Sequence, residues 1–457
     1  MPTNEIYKIY KMKGTNATMS FKSNNFKVAV CTLGCRVNQY ESRAISEYLE
    51  AAGCEILPFG SVCDAYVINT CAVTAESERK SRQMARRAYK TNPNAKIIMT
   101  GCASQLHPEA AQKLPAVCYV GGNSSKLSAA RAVLLALNGQ TNDVVTDEMS
   151  ISREYESYSV KNPDHTRAYV KIEDGCENRC AYCIIPKVRG PVRSKKPDEV
   201  LAEVRHLAKT GYKEIVLTGI ETCSYQHGLS ELIREIHSID GIERIRLSSA
   251  NPSFINKKFT DSVKDLPKFC PHFHLSLQSF CDKTLNAMRR KYNSRMIFEN
   301  CLYLRENIPN ICFTADMICG FPNETDEDFE ITLQNTEKLG LLFAHIFPYS
   351  DRPGTEASAM KNKIEESVKA ERCAALRATV NETRSKIISD YIDKKTVLSA
   401  LIETEKDGYF LGHTENFIEV RVKSSLSPCQ MLGKIFQVTL TEIKNENGEI
   451  VVYADKI

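Results

Sequence analysis

The strongest constraint in this chain is an alternation. From Phe26 to about Gly139, short apolar runs of strand length take turns with amphipathic stretches of helical period. KVAVCTL, DAYVINT and AKIIMTG read as strands, and NQYESRAISEYLEAAG, ESERKSRQMARRAYK and SSKLSAARAVLLALNG as helices. Such alternation predicts an α/β fold with a parallel sheet covered by helices on both faces. Cys35, Cys71 and Cys102 each fall just past a strand-like run, in TLGC, INTC and MTGC. Open parallel sheets bind ligands at the carboxyl ends of their strands. Three thiols far apart in sequence are therefore expected to meet at one sheet edge as a shared metal site.

The alternation resumes after residues 140–166, a polar stretch that reads as a linker. AYVKIE, EIVLTG, RIRLSS, HFHLSL, CFTADMI and LFAHIF are strand-like, and helical patterns separate them. Over 167–392 they predict a partial barrel of six βα units, shorter than the eight-unit kind, with a terminal helix from Ile364 to Ile392. Beyond Asp393 the character changes. TVLSALIETE, YFLGHTE, FIEVRVK, KIFQVTLTEI and EIVVYADKI are short β-type runs split by turns, and they predict a small OB-like barrel over 393–457. Residues 1–25 are polar and lysine-dotted and read as a disordered extension without a secretory signal. No run of about 18 apolar residues occurs, so no membrane span is expected.

The chain has 18 cysteines in 457 residues. Without a signal sequence they argue for a reducing compartment, the cytoplasm, and for metal or catalytic roles over a disulfide framework. Cys31, Cys54, Cys63, Cys118, Cys270, Cys301, Cys312, Cys373 and Cys429 sit singly and are expected as small buried hydrophobes. The loop DGCENRCAYCIIPKVRG is different. It follows the first barrel strand, on the face where barrel enzymes carry their chemistry, and sets Cys176, Cys180 and Cys183 in a C-x3-C-x2-C pattern. Zinc is the rival reading, but a structural zinc closes a shell of four N or S ligands. The nearest later histidine, His206, lies within the helical pattern that follows. A 4Fe-4S cluster is usually held by four thiolates; with three, one iron keeps an open position for a substrate or cofactor.

A formal charge of +4 is too mild to name a nucleic-acid partner. Local groups are more suggestive. Arg79, Arg82, Arg86 and Lys90 recur on one helix face, where a solvated surface is the default. Lys187, Arg189, Arg193, Lys195 and Lys196 follow the cysteine loop, and Arg289, Arg290, Lys291 and Arg295 form a further group. Those near the barrel mouth are candidates for phosphate contact. Tyr409, Phe410 and Phe417 suit either RNA stacking or the core of the C-terminal module.

C-x3-C-x2-C after the first strand of a partial barrel resembles the radical S-adenosylmethionine (SAM) superfamily. TLGCRVNQYES, INTCAV, TGCASQ, KIEDGCENRCAYCIIPKVRGPVRS, FHLSLQS, GFPNETDEDF and FPYSDRPGT together resemble its methylthiotransferases. The resemblance implies a methylthiotransferase N-terminal domain over 26–139, a radical SAM core over 167–392 and a TRAM domain over 393–457. It implies two 4Fe-4S clusters. One, on Cys176, Cys180 and Cys183, binds SAM at its open iron and yields a 5′-deoxyadenosyl radical. The other, on Cys35, Cys71 and Cys102, carries sulfur that a first SAM methylates. LTGI, from Leu217 to Ile220, matches the loop that meets the methionine part, so Thr218 and Gly219 are expected at SAM, and Gln278 in SLQS is expected to face it. A tight strand-end turn is the plainer account of Gly219. The chain departs from the family pattern at Glu221, where His or Asn is common, at Asn251, where Glu often precedes Pro, and at Phe280, where Gly is common.

Three relatives share these motifs. They act on threonylcarbamoyl-adenosine in tRNA, on isopentenyl-adenosine in tRNA, and on an aspartate of a ribosomal protein. TLGCRVNQYES, MRRKY and FPYSDRPGT resemble the first. The resemblance thus implies methylthiolation at C2 of N6-threonylcarbamoyladenosine beside the anticodon, with the tRNA anticodon loop and a reductant such as flavodoxin or ferredoxin as partners. A two-cluster electron carrier is the non-enzymatic rival.

Overall fold

The computed structural model describes residues 9–11, 18–20, 25–140, 145–146, 151–446 and 449–457. Most of the expected N-terminal extension lies outside these residues; within it, Ile9–Lys11 pairs antiparallel with Thr18–Ser20. The chain divides into two compact units. One holds residues 1–162, 175–177 and 183–193, the other residues 163–174, 178–182 and 194–457.

The first unit is built on a parallel sheet. Its strands lie in the order Glu55–Leu57, Lys27–Thr32, Ala65–Thr70, Lys96–Gly101, Val117–Val120, Val145–Thr146. Numbered along the chain this is 2-1-3-4-5-6, which places a topological switch point between Lys27–Thr32 and Ala65–Thr70. Pleating sends Val28, Val67 and Ile98 to one face, against Ile45, Leu49, Ala129 and Val133 of the helices Arg36–Ala51 and Lys126–Leu137. Ala29, Tyr66, Ile68, Ile97 and Met99 go to the other face, against Ala85 and Ala88 of the helix Ala75–Thr91. Burial on both faces is why these runs read as continuously apolar.

Part of the stretch expected as a linker packs on this unit. The Tyr40 hydroxyl donates to the Tyr158 carbonyl at 3.1 Å, and their rings stack at 5.8 Å. Glu156 accepts the backbone N–H of Lys126 at 2.6 Å and of Leu127 at 3.3 Å, placing a carboxylate on the N-terminus of the helix Lys126–Leu137.

The second unit carries six parallel strands in chain order. Arg167–Lys171, Glu214–Thr218 and Arg244–Leu247 pair in one sheet, and His272–Gln278, Cys312–Cys319 and Phe343–Pro348 in another. Isolated parallel bridges, Ile245 to Phe269 and Ala250 to Leu275, continue the order across the gap. One apolar core fills the space between these strands and their helices. The 28-residue helix Glu366–Asp393, about 42 Å long, then leads into a closed five-stranded barrel. There Val397–Lys406, Tyr409–Thr414, Glu419–Val422, Glu449–Lys456 and Ile435–Glu446 follow one another round the ring.

The small barrel stands against the amino-terminal ends of the six strands. Arg167 meets Glu403 at 3.2 Å, and Arg244 donates to the Ser399 carbonyl at 2.5 Å. Phe417 stacks on His272 at 4.5 Å, with Arg246 over its ring at 5.0 Å. Cys312, Leu342 and Ile388 share a core with Leu398, Ala400 and Val438 of the small barrel. Phe417 is therefore a wedge at the base of the larger barrel, and Phe410 is core. No helix among the described residues is long and apolar enough to cross a membrane.

Candidate active site

In the first unit the three expected cysteines stand at one sheet edge. Cys35 caps the helix Arg36–Ala51 with extended backbone, Cys71 follows the end of Ala65–Thr70, and Cys102 opens the short helix Cys102–Leu106. Their strands are neighbours, with Thr32 opposite Asn69 and Thr70 opposite Gly101. Cys35 and Cys71 thus flank the switch point. Gly34 makes the approach possible. Its φ is +96°, and an added Cβ would lie 2.8 Å from the Cys71 sulfur.

The thiols act on one another. Burial pushes Cys71 up to about 11, a backbone N–H at Val73 works against this, and Cys102 and Cys35 add to it. The Cys35 pKa is raised as well, with the Arg189 guanidinium pulling the other way, although Cys35 as a residue is exposed at this edge. Thiols held protonated in this way must release protons when metal binds. Among the described residues no three His, Cys, Asp or Glu side chains converge on a single-ion position. A 4Fe-4S cluster asks for a different arrangement, one thiolate to each iron it holds.

A polar layer backs the cysteines. Asn38 accepts from the Cys35 thiol at 3.9 Å and donates to the carbonyls of Leu33 at 2.7 Å and Thr70 at 3.0 Å. Arg189 donates to Asn38 at 2.6 Å and to Glu41 at 2.6 Å, and Lys126 reaches Glu41 at 3.3 Å. Asn123 donates to the Cys102 sulfur at 3.6 Å and to the Val188 carbonyl at 2.9 Å. Fixed donors and buried charges of this kind orient metal ligands and tune the group they hold.

The second cysteine set lies on the loop after Arg167–Lys171. Cys176 and Cys183 belong to the first unit, where the Cys176 N–H donates to the Gly190 carbonyl at 3.0 Å. Cys180 belongs to the second unit, and Arg290 donates to its sulfur at 3.0 Å. Arg290 also bonds the Tyr292 hydroxyl at 2.7 Å and the Ser276 carbonyl at 2.9 Å, which ties Cys180 to the end of the fourth barrel strand. Burial opposes the Arg290 charge, but Tyr292, Tyr182 and Cys180 together hold it firmly protonated.

Thr218 is buried at the end of the second barrel strand, and Gly219 follows it. Gly219 is required for space: an added Cβ would lie 2.6 Å from Glu173 Oε2, an oxygen that accepts the Glu221 N–H at 2.7 Å. Glu173 is fully buried, its Oε1 has no hydrogen-bond partner among the described residues, and burial drives its pKa far above the carboxylate range. Glu221 accepts from Asn178, inside the cysteine loop, at 2.8 Å. Gln278 ends the fourth strand just past a register shift with φ +66°, a conformation that costs a non-glycine residue energy and is frequent at functional sites.

The basic groups change meaning. Arg189, Arg193 and Lys195 are buried, not offered to phosphate; Lys195 pairs with Glu203 at 2.5 Å, and Arg193 donates to the Arg189 carbonyl at 2.6 Å. Arg79 and Arg82 pair with Glu76 and Glu78 on their own helix, and Arg295 pairs with Glu299. Lys187 and Lys196 stay exposed. Cys429, expected as buried, is exposed beside Ser427, and Cys31 and Cys118 are half-buried. Glu173 and Asn123 were missed. A glutamate closing an otherwise buried strand immediately before a cysteine loop was the available signal for Glu173.

Comparison with known proteins accords with this geometry. Residues 170–335 match the model of the Radical SAM superfamily, and residues 27–122 match that of uncharacterized protein family UPF0004. The fold resembles the solved structure of TsrM, a radical S-adenosylmethionine methyltransferase from Kitasatospora setae. The TM-score is 0.56 at 15% identity, over 73% of this chain and 77% of that one. Six strands in order, with a cysteine loop after the first, make a radical SAM enzyme, with the 4Fe-4S cluster and SAM which that superfamily uses. Threonylcarbamoyladenosine tRNA methylthiotransferase MtaB of Bacillus subtilis is 35% identical over 94% of this chain and 98% of its own length. A tRNA-2-methylthio-N(6)-dimethylallyladenosine synthase of Thermodesulfovibrio yellowstonii is 32% identical over 93% and 98%. The chain belongs to the radical SAM methylthiotransferase family.

Proposed function

We propose that the protein methylthiolates C2 of N6-threonylcarbamoyladenosine beside the anticodon of tRNA. A C–H bond is exchanged for C–SCH3, at a carbon without useful acidity. When bound, a 4Fe-4S cluster with SAM supplies a 5′-deoxyadenosyl radical, a second cluster supplies sulfur, and another SAM supplies the methyl group. Cys176, Cys180 and Cys183 hold the first cluster, and Arg290 fixes Cys180 at the rim of the barrel. Cys35, Cys71 and Cys102 hold the second, with Asn38 and Asn123 orienting the sulfurs. Thr218, Gly219 and Gln278 would border SAM; an added Cβ at Gly219 would collide with Glu173. A reductant of the flavodoxin or ferredoxin kind delivers the electron.

The observation that supports the two-cluster reading is the placement of Cys35, Cys71 and Cys102 just past the ends of adjacent strands, in addition to the C-x3-C-x2-C trio. The acceptor is the one in the name of the Bacillus subtilis relative, 35% identical to this chain. An unstacked anticodon-loop base is also the kind of RNA target proteins reach most readily.

Anaerobically reconstituted protein should carry about eight irons, four per cluster. Replacing Cys35, Cys71 and Cys102 with Ala should remove half and spare SAM cleavage; replacing Cys176, Cys180 and Cys183 should remove the other half and abolish it. Incubation with SAM, reductant and threonylcarbamoylated tRNA should yield the 2-methylthio nucleoside by mass spectrometry. Product only from isopentenyl-adenosine tRNA or from the ribosomal protein would overturn the acceptor, and loss of all iron in either triple variant would overturn the two-cluster reading.

A further inference from the structure

The sixth barrel strand, Phe343–Pro348, pairs on one side only among the described residues. Along it Ala344 and Ile346 face the core between strands and helices. Phe343, His345 and Phe347 face the other way, and Phe343 and Phe347 are 39% and 46% exposed. Large aromatic rings left open at the edge of a sheet are a cost in a soluble protein and commonly mark a binding surface. The His345 and Phe347 rings are 6.3 Å apart and 28° from parallel, while Phe343 meets His345 edge-on at 4.9 Å. A separation of 6.3 Å is close to two stacking steps of about 3.4 Å.

These rings line a groove of about 470 Å³ whose other walls come from the helix Glu366–Asp393 and the small barrel. The helix contributes Arg377 and Arg384, two turns apart on one face, with Asn381 between them. Among the described residues neither arginine forms an ion pair with a carboxylate, and Arg384 Nε is buried there without a hydrogen-bond partner. Burial lowers the Arg384 pKa, and Glu419 and Glu449, on the small-barrel wall, offset this from a distance. Arg421, on the same wall, is held by Glu446 at 2.9 Å. The groove is thus bordered both by aromatic residues of the strand edge and by two guanidiniums of the helix.

The strand points at the reaction site. Just past its carboxyl end, Tyr349 packs in one cluster with Ala181, which stands between Cys180 and Cys183 on the cysteine loop. The Ala357 N–H donates to the Ala181 carbonyl at 2.8 Å.

We propose that this groove binds the single-stranded RNA adjoining the reacting base, with bases on the Phe343–His345–Phe347 face and phosphates on Arg377 and Arg384. The inference rests on the tRNA reading above. Stacking platforms beside cationic groups are the general device for gripping single strands without reading sequence. The two wall glutamates temper the charge, so stacking is the main source of grip.

The test uses the full-length, cluster-loaded enzyme and threonylcarbamoylated tRNA, with affinity read by fluorescence anisotropy across a salt series. Phe343→Ala/Phe347→Ala should weaken binding tenfold or more, since base–aromatic stacking is worth about 1–3 kcal/mol per base. Arg377→Gln/Arg384→Gln should flatten the salt slope by about 1.4, from two phosphate contacts at about 0.7 each. Glu419→Gln/Glu449→Gln should tighten binding, a gain that misfolding cannot mimic. All three should cleave SAM without RNA as the parent does. Parent-like affinity in the aromatic and arginine variants overturns the inference alone. So does unchanged RNA affinity with lost electron transfer from flavodoxin, which would make the groove a protein dock. A parent enzyme with no affinity for tRNA overturns the proposed function, and this inference with it.

Discussion

Glu173 shows what one buried carboxyl does to a site. The folded protein favours its neutral form because burial penalises the charge, while in the unfolded chain it ionises near pH 4.3. Between those two pKa values the unfolded state binds fewer protons, so stability falls as pH rises. Glu173→Gln, measured without SAM, should raise the melting temperature at pH 8 and leave it unchanged near pH 4. A gain that grows on acidification would contradict the assignment. The six cysteines can be singled out in the sequence because their signal is local: a spacing of three and two residues, or a place just past an apolar run. The fate of the basic residues was not local. Arg189 meets Glu41 across 148 positions, and nothing near Arg189 in the sequence distinguishes a buried ion-paired arginine from one offered to phosphate. Cys429 misled for the opposite reason, since an exposed thiol and a core thiol have similar neighbours in a short turn.

Among elements, those with several periods of pattern were readable. The helix Ala75–Thr91 and the six barrel strands lie close to where their patterns put them. Glu55–Leu57 and Val117–Val120 offer too few alternations to stand out, and the helices Cys102–Leu106 and Pro108–Gln112 are barely one turn. The packing of residues 151–162 was hidden as well, because polar residues that cap and strap look like linker. Glu156 is the strongest case. Its carboxylate accepts two N–H groups that a helix N-terminus leaves unpaired, at the positive end of the helix dipole. Glu156→Ala should cost the first unit about 1 kcal/mol, visible as a lower urea midpoint with unchanged slope. An unchanged midpoint would mean that solvent serves those groups equally well.

For the whole molecule, the boundary that the sequence places between 392 and 393 would make the C-terminal module separable from the barrel. The structure argues otherwise. The two share a continuous core through Cys312, Leu342 and Ile388, and Arg246 depends on the stack with Phe417 where its Nη groups find no hydrogen-bond partner. Ending the chain at Asp393 should therefore lower the melting temperature and reduce SAM cleavage even without RNA. A truncated protein with parent-like melting and cleavage would show the barrel to be self-sufficient.

The wedge at Phe417 also decides the traffic. Phe417, His272 and Arg246 pack together at the amino-terminal mouth, opposite the strand carboxyl ends that carry the cysteine loop. Whatever reaches the reacting atoms must come in, and the finished nucleoside must go out, on the side of the strand carboxyl ends or through the seam beside the sixth strand. Incoming and outgoing RNA then contend for the same openings, and modified tRNA should act as a competitive inhibitor of its own precursor.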